Sequence, residues 1–155
     1  APAPRRLFWD AYLKHPALCA RMATDGAPDW VRLGWLACSP LFVPAFRRNL
    51  GASGRSLRLA RRRLGRYFDQ LEERIGPSGY LVGEAFGIAD LSVAAALSAL
   101  VRPPESPYPL PEPRPPELEE LQASLEDRPG YRWVKAIYTR HRGASAEIAE
   151  GASDA

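Results

Sequence analysis

The most regular pattern of hydrophobic and polar positions runs from residue 55 to residue 75. Apolar side chains recur there every three or four residues, the spacing of one face of an α-helix, at Leu57, Ala60, Leu64, Tyr67 or Phe68, Leu71 and Ile75. The opposite face carries Arg58, Arg61, Arg62 and Arg66. Residues 76–79, Gly-Pro-Ser-Gly, follow at once, and a glycine cap with a proline beyond it ends a helix. The pattern predicts a long amphipathic helix over 55–75.

A different pattern covers residues 91–101, which carry no charged side chain. A helix that is apolar on all sides is typical of a buried position. Gly87 precedes this segment as a candidate N-cap, and the Asp90 carboxylate can accept a hydrogen bond from the backbone N–H of Gly87. The helix dipole also favours an acidic group in the first turn. We predict a buried central helix with Gly87 and Asp90 as its structural cap; a catalytic role for Asp90 is the alternative.

The first third of the chain also shows helical spacing, interrupted by prolines. Residues 5–23 carry apolar side chains at approximately the helical period, with a kink or break predicted at Pro16. A new helix is predicted after Pro28. Because proline lacks an N–H group and clashes with the preceding turn, Pro40 and Pro44 are predicted to divide that helix from a shorter one.

The last third of the chain completes an all-helical pattern. Short helices are predicted over 117–125 and 131–142, and residues 103–116, eight of which are proline, are predicted to form a stiff loop. No segment alternates with period two for long enough to indicate a strand. The predicted fold class is therefore all-α, a helical bundle forming one domain over 5–142. The small, polar and acidic residues 143–155 are predicted to be disordered.

The composition, with 46% hydrophobic and 25% charged residues in 155, is that of an ordinary globular protein. The formal net charge of +3 is unevenly divided: residues 1–76 carry 14 basic and 6 acidic side chains, a net +8, whereas residues 77–155 carry a net −5. Nineteen of the 21 basic residues are arginine, which indicates a GC-rich bacterial gene. Cys19 and Cys38 have no metal-binding or redox spacing, so a reducing cytoplasm is the expected location.

The start of the chain and its apolar runs indicate whether it is part of a longer protein and whether it associates with a membrane. The sequence begins without an initiator methionine or an apolar signal core, so we expect it to be a piece of a longer protein. The longest charge-free apolar run, residues 33–46, is too short for a membrane span and contains two prolines. We expect no membrane association.

The arginines of the 55–75 helix allow two interpretations. A basic stripe could bind phosphate groups or a nucleic acid, because guanidinium groups suit phosphate. It could also be a solvated face, or one that meets acidic residues of the following helices. We favour the second interpretation, because the basic half is balanced by an acidic half within the same small domain. Nucleic-acid binding is therefore not expected.

Residues for independent chemistry are scarce in this sequence. His15 and His141 are far apart and have no carboxylate at helical spacing, which argues against a metal site or a Ser-His-Asp triad. Ser53 lacks the surroundings of a nucleophile elbow. We predict no catalytic residue and no metal ligand in this chain.

Two segments carry a family resemblance. The sequence YLVGEAFGIADL at residues 80–91 resembles the start of the core helix in the α-helical C-terminal domain of the glutathione S-transferase family. That family usually has Ser or Thr at the cap position, where this chain has Gly87. The sequence RPGYRWVKAIYTR at residues 128–140 resembles the family's C-terminal helix, which commonly opens with proline and carries a tryptophan soon after. The resemblance covers roughly 55–142, and 5–50 only by position.

The resemblance implies a function that this chain would perform only as part of a larger enzyme. Glutathione transferases join a thioredoxin-like N-terminal domain, which binds glutathione and activates its thiol, to a helical domain that supplies most of the pocket for the electrophile. They are usually homodimers, to which the first two helices of the helical domain contribute. No thioredoxin-like segment is visible here. The resemblance thus implies that glutathione is a co-substrate bound mainly by an absent domain, and that this chain alone is inactive.

The aromatic residues of the first helix are the candidates for the electrophile pocket. Phe8, Trp9 and Tyr12 would either belong to the core or an interface, or line an apolar ligand pocket. A different function also fits the same fold: non-catalytic protein-interaction modules of this shape occur in translation factors and synthetase complexes. In that case the arginine-rich helix would bind a protein partner or associate with RNA.

Overall fold

The helical spacing of the sequence corresponds to helices throughout the computed structural model, which describes residues 3–51, 53–106 and 112–142. This part of the chain contains seven α-helices and no strand, so the predicted all-α class is confirmed. The helices are α1 (Ala3–Lys14), α2 (Pro16–Ala23), α3 (Asp29–Asn49), α4 (Gly54–Arg74), α5 (Ile88–Val101), α6 (Pro116–Ala123) and α7 (Pro129–His141). The predicted tail at 143–155 and part of the proline-rich segment lie outside the described residues.

Contacts divide the described chain into two units. Unit 1 contains α1, α2, α3, α4 as far as Gly65, and α6. Unit 2 contains α4 from Arg66 onward, α5 and α7. The single domain over 5–142 stays a prediction.

Helix α1 occupies the centre of unit 1, where it packs against α2, α3 and α6. Most of α1 is buried, which removes its apolar side chains from water and stabilises the packing; these side chains are Leu7, Phe8, Ala11, Tyr12 and Leu13. The predicted break at Pro16 is confirmed. Proline suits the first position of a helix because its missing N–H has no partner there, and α2 begins at Pro16.

Helix α3 differs from the prediction, because it continues through both of its internal prolines. A proline at position 40 leaves the carbonyl of Leu36 without its usual N–H donor. The Ser39 hydroxyl replaces that donor, at 2.8 Å from the Leu36 oxygen. Pro40 and Pro44 are themselves exposed, so their rings need no space in the core. The predicted division of this helix at Pro40 and Pro44 is therefore wrong.

Unit 2 is built on the packing of α5 against α7. Two aromatic side chains of α7 also satisfy backbone carbonyls: Trp133 Nε1 donates to Gly79 O at 2.8 Å, and Tyr131 Oη donates to Val101 O at 3.1 Å. These bonds tie α7 to the loop before α5 and to the end of α5. The other large or apolar buried side chains of unit 2 include Phe68, Leu71, Ala94, Leu97, Leu100, Leu125, Val134 and Ile137.

Helix α5 is buried on one face and not on all sides, in contrast to the prediction. Asp90, Ala94 and Leu97 are buried, whereas Ile88 and Leu91 are 78% and 51% exposed. The absence of charge over residues 91–101 indicates that no face prefers water, but it does not specify which neighbours cover each face. In unit 2 as described, α7 is the helix that packs against α5, and the loop before α5 covers Asp90.

Candidate functional site

The three aromatic candidates of α1 are divided between the core and the surface. Tyr12 is fully buried and Phe8 is nearly so, and their rings contact each other at a centroid separation of 4.9 Å. Trp9 is half-buried and packs edge-on against Phe46 of α3, with ring centroids 5.5 Å apart. Only Trp9 therefore presents part of its ring outward.

A groove in unit 1, with a volume of about 160 Å³, lies on a different side of α1. Its apolar wall comes from three helices and consists of Leu7, Ala11, Leu57, Leu118 and Leu121. Its charged lining consists of Asp10, Lys14, Arg58, Arg61 and Glu117. Phe8, Trp9 and Tyr12 do not line it.

The two carboxylates of this groove already have cationic partners. The Asp10 carboxylate lies 3.1 Å from Arg47 Nη2 and 3.0 Å from Lys14 Nζ. The Glu117 carboxylate lies 2.8 Å from His15 Nε2 and 3.7 Å from Lys14 Nζ. Partial burial acts to raise the pKa of Glu117, but the hydrogen bond from His15 and the nearby positive charges together lower it. Glu117 therefore remains ionised near neutral pH.

The arginines of α4 within unit 1 are solvated. Each of these side chains is exposed, and none has an ion pair or side-chain hydrogen bond in the part of the chain that the structure describes; they are Arg55, Arg58, Arg61, Arg62 and Arg63. A solvated face and a face paired with acidic residues are the two alternatives to a binding role, and the solvated face agrees with the structure.

Asp90 has the geometry of a cap. Its Oδ2 accepts a hydrogen bond from Gly87 N at 2.9 Å, and its Oδ1 accepts one from Leu81 N at 2.8 Å. Gly87 is the N-cap residue of α5. The spacing of the sequence predicts the first bond but not the second. Because the Asp90 side chain is completely buried, its carboxylate offers no surface to a substrate.

An ion pair in unit 2 joins the N-cap residue of α7 to α4. Arg128 Nε and Nη2 lie 3.0 and 2.8 Å from the two carboxylate oxygens of Glu72, and Arg128 also donates to Asp69. Glu72 accepts a further bond from Gly130 N at 3.1 Å. The hydrogen bond from Arg128 is the largest cause that lowers the pKa of Glu72. The residues are 56 positions apart, so no local pattern could reveal this pair.

Replacing Glu72 with Gln is expected to lower the free energy of unfolding by about 1–2 kcal/mol at pH 7, because it removes the negative charge that pairs with Arg128. The loss is limited to this size because the pair is partly exposed. The folded-state pKa of Glu72 is lowered from 4.5, so the contribution of Glu72 is present above that value and is lost as the pH falls through the folded-state pKa. Urea unfolding from pH 7 into the acidic range measures this. Glu73→Gln, in an exposed neighbour, is the control, and equal pH dependence of both variants would contradict the prediction.

Among the described residues, exposed apolar side chains form one surface on α3 in unit 1 and one on α5 in unit 2. The α3 surface consists of Trp30, Leu33 and Leu41, which share one face of α3 and are 73%, 66% and 82% exposed. The α5 surface consists of Ile88 and Leu91. Contiguous apolar patches on a protein commonly mark interaction sites.

The described residues contain no group of His, Cys, Asp and Glu side chains that could hold a metal ion. His15 pairs with Glu117, whereas His141 stacks on Phe86 with ring centroids 4.1 Å apart. Burial raises the pKa of the Cys19 thiol to about 11, which makes it a core residue rather than a nucleophile. Among the described helices, none combines the length and the apolar character that a membrane span requires.

Comparison with known protein families shows to which family the chain belongs. The sequence model of the glutathione S-transferase C-terminal domain matches residues 28–140. The chain belongs to this family. In the glutathione S-transferase family, membership implies glutathione as a substrate and a helical domain of the kind seen here. No curated protein and no solved structure matches the chain.

The glutathione S-transferase match starts just before α3 and ends within α7. It therefore includes the Gly87–Asp90 cap and extends the resemblance back from residue 55 to the start of α3. Helices α1 and α2 lie outside the match, together with Phe8, Trp9 and Tyr12. These three residues receive no role from the family, and any role in binding must come from their own geometry.

Proposed function

We propose that this chain is the electrophile-binding and dimerisation domain of a bacterial, cytoplasmic glutathione-transferase-type enzyme. The family match over residues 28–140 carries this proposal. In it, a thioredoxin-like N-terminal domain joins the chain and holds glutathione, the co-substrate. In this proposal the N-terminal domain activates the glutathione thiol, so the chain alone is expected to be inactive.

The contribution of this chain to the reaction would be positioning. Holding an apolar electrophile against the glutathione thiolate converts an encounter in solution into a reaction within one complex, which lowers the entropic part of the barrier. Such a substrate is conjugated or reduced by glutathione. Of the three aromatic candidates, Trp9 has an accessible face for an apolar substrate, whereas Phe8 and Tyr12 support it from the core.

The Trp9→Ala variant of the intact gene product is expected to have a KM for apolar electrophiles raised about tenfold, because a large apolar contact is lost. The affinity for glutathione should be unchanged. Steady-state kinetics with each substrate varied separately measures both effects. Trp35→Ala is the control, since Trp35 is also half-buried and packs edge-on against a neighbouring ring, that of Phe42. An unchanged KM for every electrophile would remove Trp9 from the proposed pocket.

The α3 surface supports the dimerisation part of the proposal. Trp30, Leu33 and Leu41 form an exposed apolar stripe on the first helix of the matched range, and such a stripe gains free energy when a second copy covers it. The α5 surface similarly supports contact with a further domain, because Ile88 and Leu91 have no cover in unit 2.

The Leu41→Glu variant is expected to convert a dimer into a monomer, because it places a charge in the apolar stripe. Light scattering coupled to size-exclusion chromatography measures the mass. Leu59→Glu changes an exposed leucine of α4 and is the control. Dimerisation is contradicted if the wild-type protein is monomeric at all accessible concentrations, and the α3 surface is excluded if Leu41→Glu leaves a dimer intact.

A second candidate function is a non-catalytic interaction module. The arginines of α4 from Arg55 to Arg63 favour it, because they have no ion pair within the described ranges and an acidic protein surface or an RNA could pair with them. Salt-sensitive association with an acidic protein or RNA, together with no glutathione-dependent activity of the intact gene product, would support this function over the enzymatic one.

A further inference from the structure

We propose that the groove of unit 1 is a binding site for a small organic anion, namely a carboxylate attached to an apolar group about the size of a benzene ring. The site is formed by α1, α4 and α6. It requires neither glutathione nor a second domain, so it goes beyond the proposed function.

The size and the wall of the groove specify the apolar part of the ligand. Its volume of about 160 Å³ is close to that of an apolar cavity which holds benzene, about 150 Å³, and well below the ~300 Å³ of the smallest pockets for drug-sized ligands. The side chains of Leu7, Ala11, Leu118 and Leu121 are buried and form an apolar floor. A single ring fits this space.

The charges around the groove specify the polar part. The charges of Asp10 and Glu117 are balanced by those of Arg47 and Lys14, as their ion pairs show. The two remaining charged groups of the lining are the guanidinium groups of Arg58 and Arg61, which have no ion pair in the described chain. The uncompensated charge of the groove is therefore positive, and guanidinium groups bind carboxylates through charge-assisted hydrogen bonds.

The position of Arg58 brings its charge to the groove wall. Arg58 Nη1 lies 3.8 Å from the point where a Cβ on Gly54 would stand, and Gly54 itself lines the groove. The side chain thus lies back over the first turn of α4. Arg58 and Arg61 are three residues apart, so they share one face of the helix and can contact the same carboxylate.

Benzoate is the probe that tests this site, with benzamide and acetate as matched compounds. Titration of the 155-residue chain with benzoate, followed by NMR, is expected to give a dissociation constant of about 1 mM, a reasonable affinity for so small a ligand. The largest shifts should occur at the methyl groups of Leu118 and Leu121. Benzamide lacks the charge and acetate lacks the ring, so each should bind at least about tenfold more weakly.

Two double variants test the role of the arginines. R58Q/R61Q is expected to weaken benzoate binding at least about tenfold, because it removes both charge-assisted contacts. R62Q/R63Q lowers the net charge by the same amount on the same helix but lies outside the lining, so it should bind benzoate like the wild type. All four side chains are exposed, so neither variant should impair folding.

Several results would overturn the proposal. One is the absence of saturable binding at benzoate concentrations up to about ten times the expected dissociation constant. Others are equal affinities for benzoate and benzamide, or equal losses of benzoate affinity in the two double variants. Shifts located away from α1, α4 and α6 would also overturn it. Because the measurement uses this chain without glutathione, a negative result does not bear on the proposed enzymatic function. Likewise, a failure of the enzymatic proposal does not bear on the anion site.

Discussion

The Asp90→Ala variant is expected to lose about 3 kcal/mol of unfolding free energy, the largest effect of any single substitution considered for unit 2. The Asp90 carboxylate is completely buried and accepts two hydrogen bonds, from Leu81 N and from Gly87 N. Bonds to a charged group contribute about 1.5–3 kcal/mol each, but both donors belong to half-buried residues, so water recovers part of the loss. The variant should also release the loop at 80–87 from the start of α5.

Chemical denaturation monitored by tryptophan fluorescence and by circular dichroism measures the loss. Glu84→Ala is the control, since it removes an exposed acidic side chain from the same loop. If Asp90→Ala were no more destabilising than Glu84→Ala, Asp90 would not stabilise the helix start, and its burial would need another explanation.

The second large effect is expected from Gly130→Ala, which should destabilise the protein by about 2 kcal/mol through overpacking. A Cβ at position 130 would lie 2.9 Å from Phe68 Cδ1, 3.1 Å from Leu71 Cδ2 and 3.2 Å from Glu72 Oε1. Phe68 is fully buried and Glu72 is held by Arg128, so neither can move freely. Glycine at this position allows the first turn of α7 to approach α4 closely.

Gly65→Ala provides a matched control for this substitution. No atom outside its own local backbone lies within 4 Å of a Cβ at position 65, and the residue lies inside α4. Alanine is the better helix former by about 1 kcal/mol, so Gly65→Ala should stabilise the protein. If urea unfolding showed that both substitutions change the free energy of unfolding in the same direction, the close approach inferred at Gly130 would be contradicted.

The features that the sequence alone predicts correctly are local ones. The α4 bounds, the break at Pro16 and the bond from Gly87 N to Asp90 each depend on residues within a few positions of one another. Helical periodicity, proline geometry and cap spacing act over that range. The family resemblance, based on residues 80–91 and 128–140, is confirmed by the match over 28–140.

The aromatic candidates show where local reasoning ends. Phe8 and Tyr12 are four residues apart and lie on the same face of α1, whereas Trp9 is turned by about 100° from Phe8. The sequence contains all three rings, but only the packing of α1 shows that Phe8 and Tyr12 are buried and that other residues of α1 line the groove.

Contacts between distant residues could not be predicted. The Arg128–Glu72 pair spans 56 positions, and the His15–Glu117 pair spans 102. The exposure of one face of α3 and of α5 could not be predicted for the same reason. An apolar pattern indicates which residues prefer to leave water, but it does not indicate which neighbours cover them.

The measurement that tests the central proposal most directly is the glutathione-dependent activity of the intact gene product. The purified protein is incubated with glutathione and each of a panel of apolar electrophiles, and the consumption of the free thiol is followed. The proposal predicts consumption above the uncatalysed rate for at least one electrophile, with none for the 155-residue chain alone. An intact product that folds but accelerates no glutathione reaction across the panel would contradict the enzymatic function and favour the interaction module.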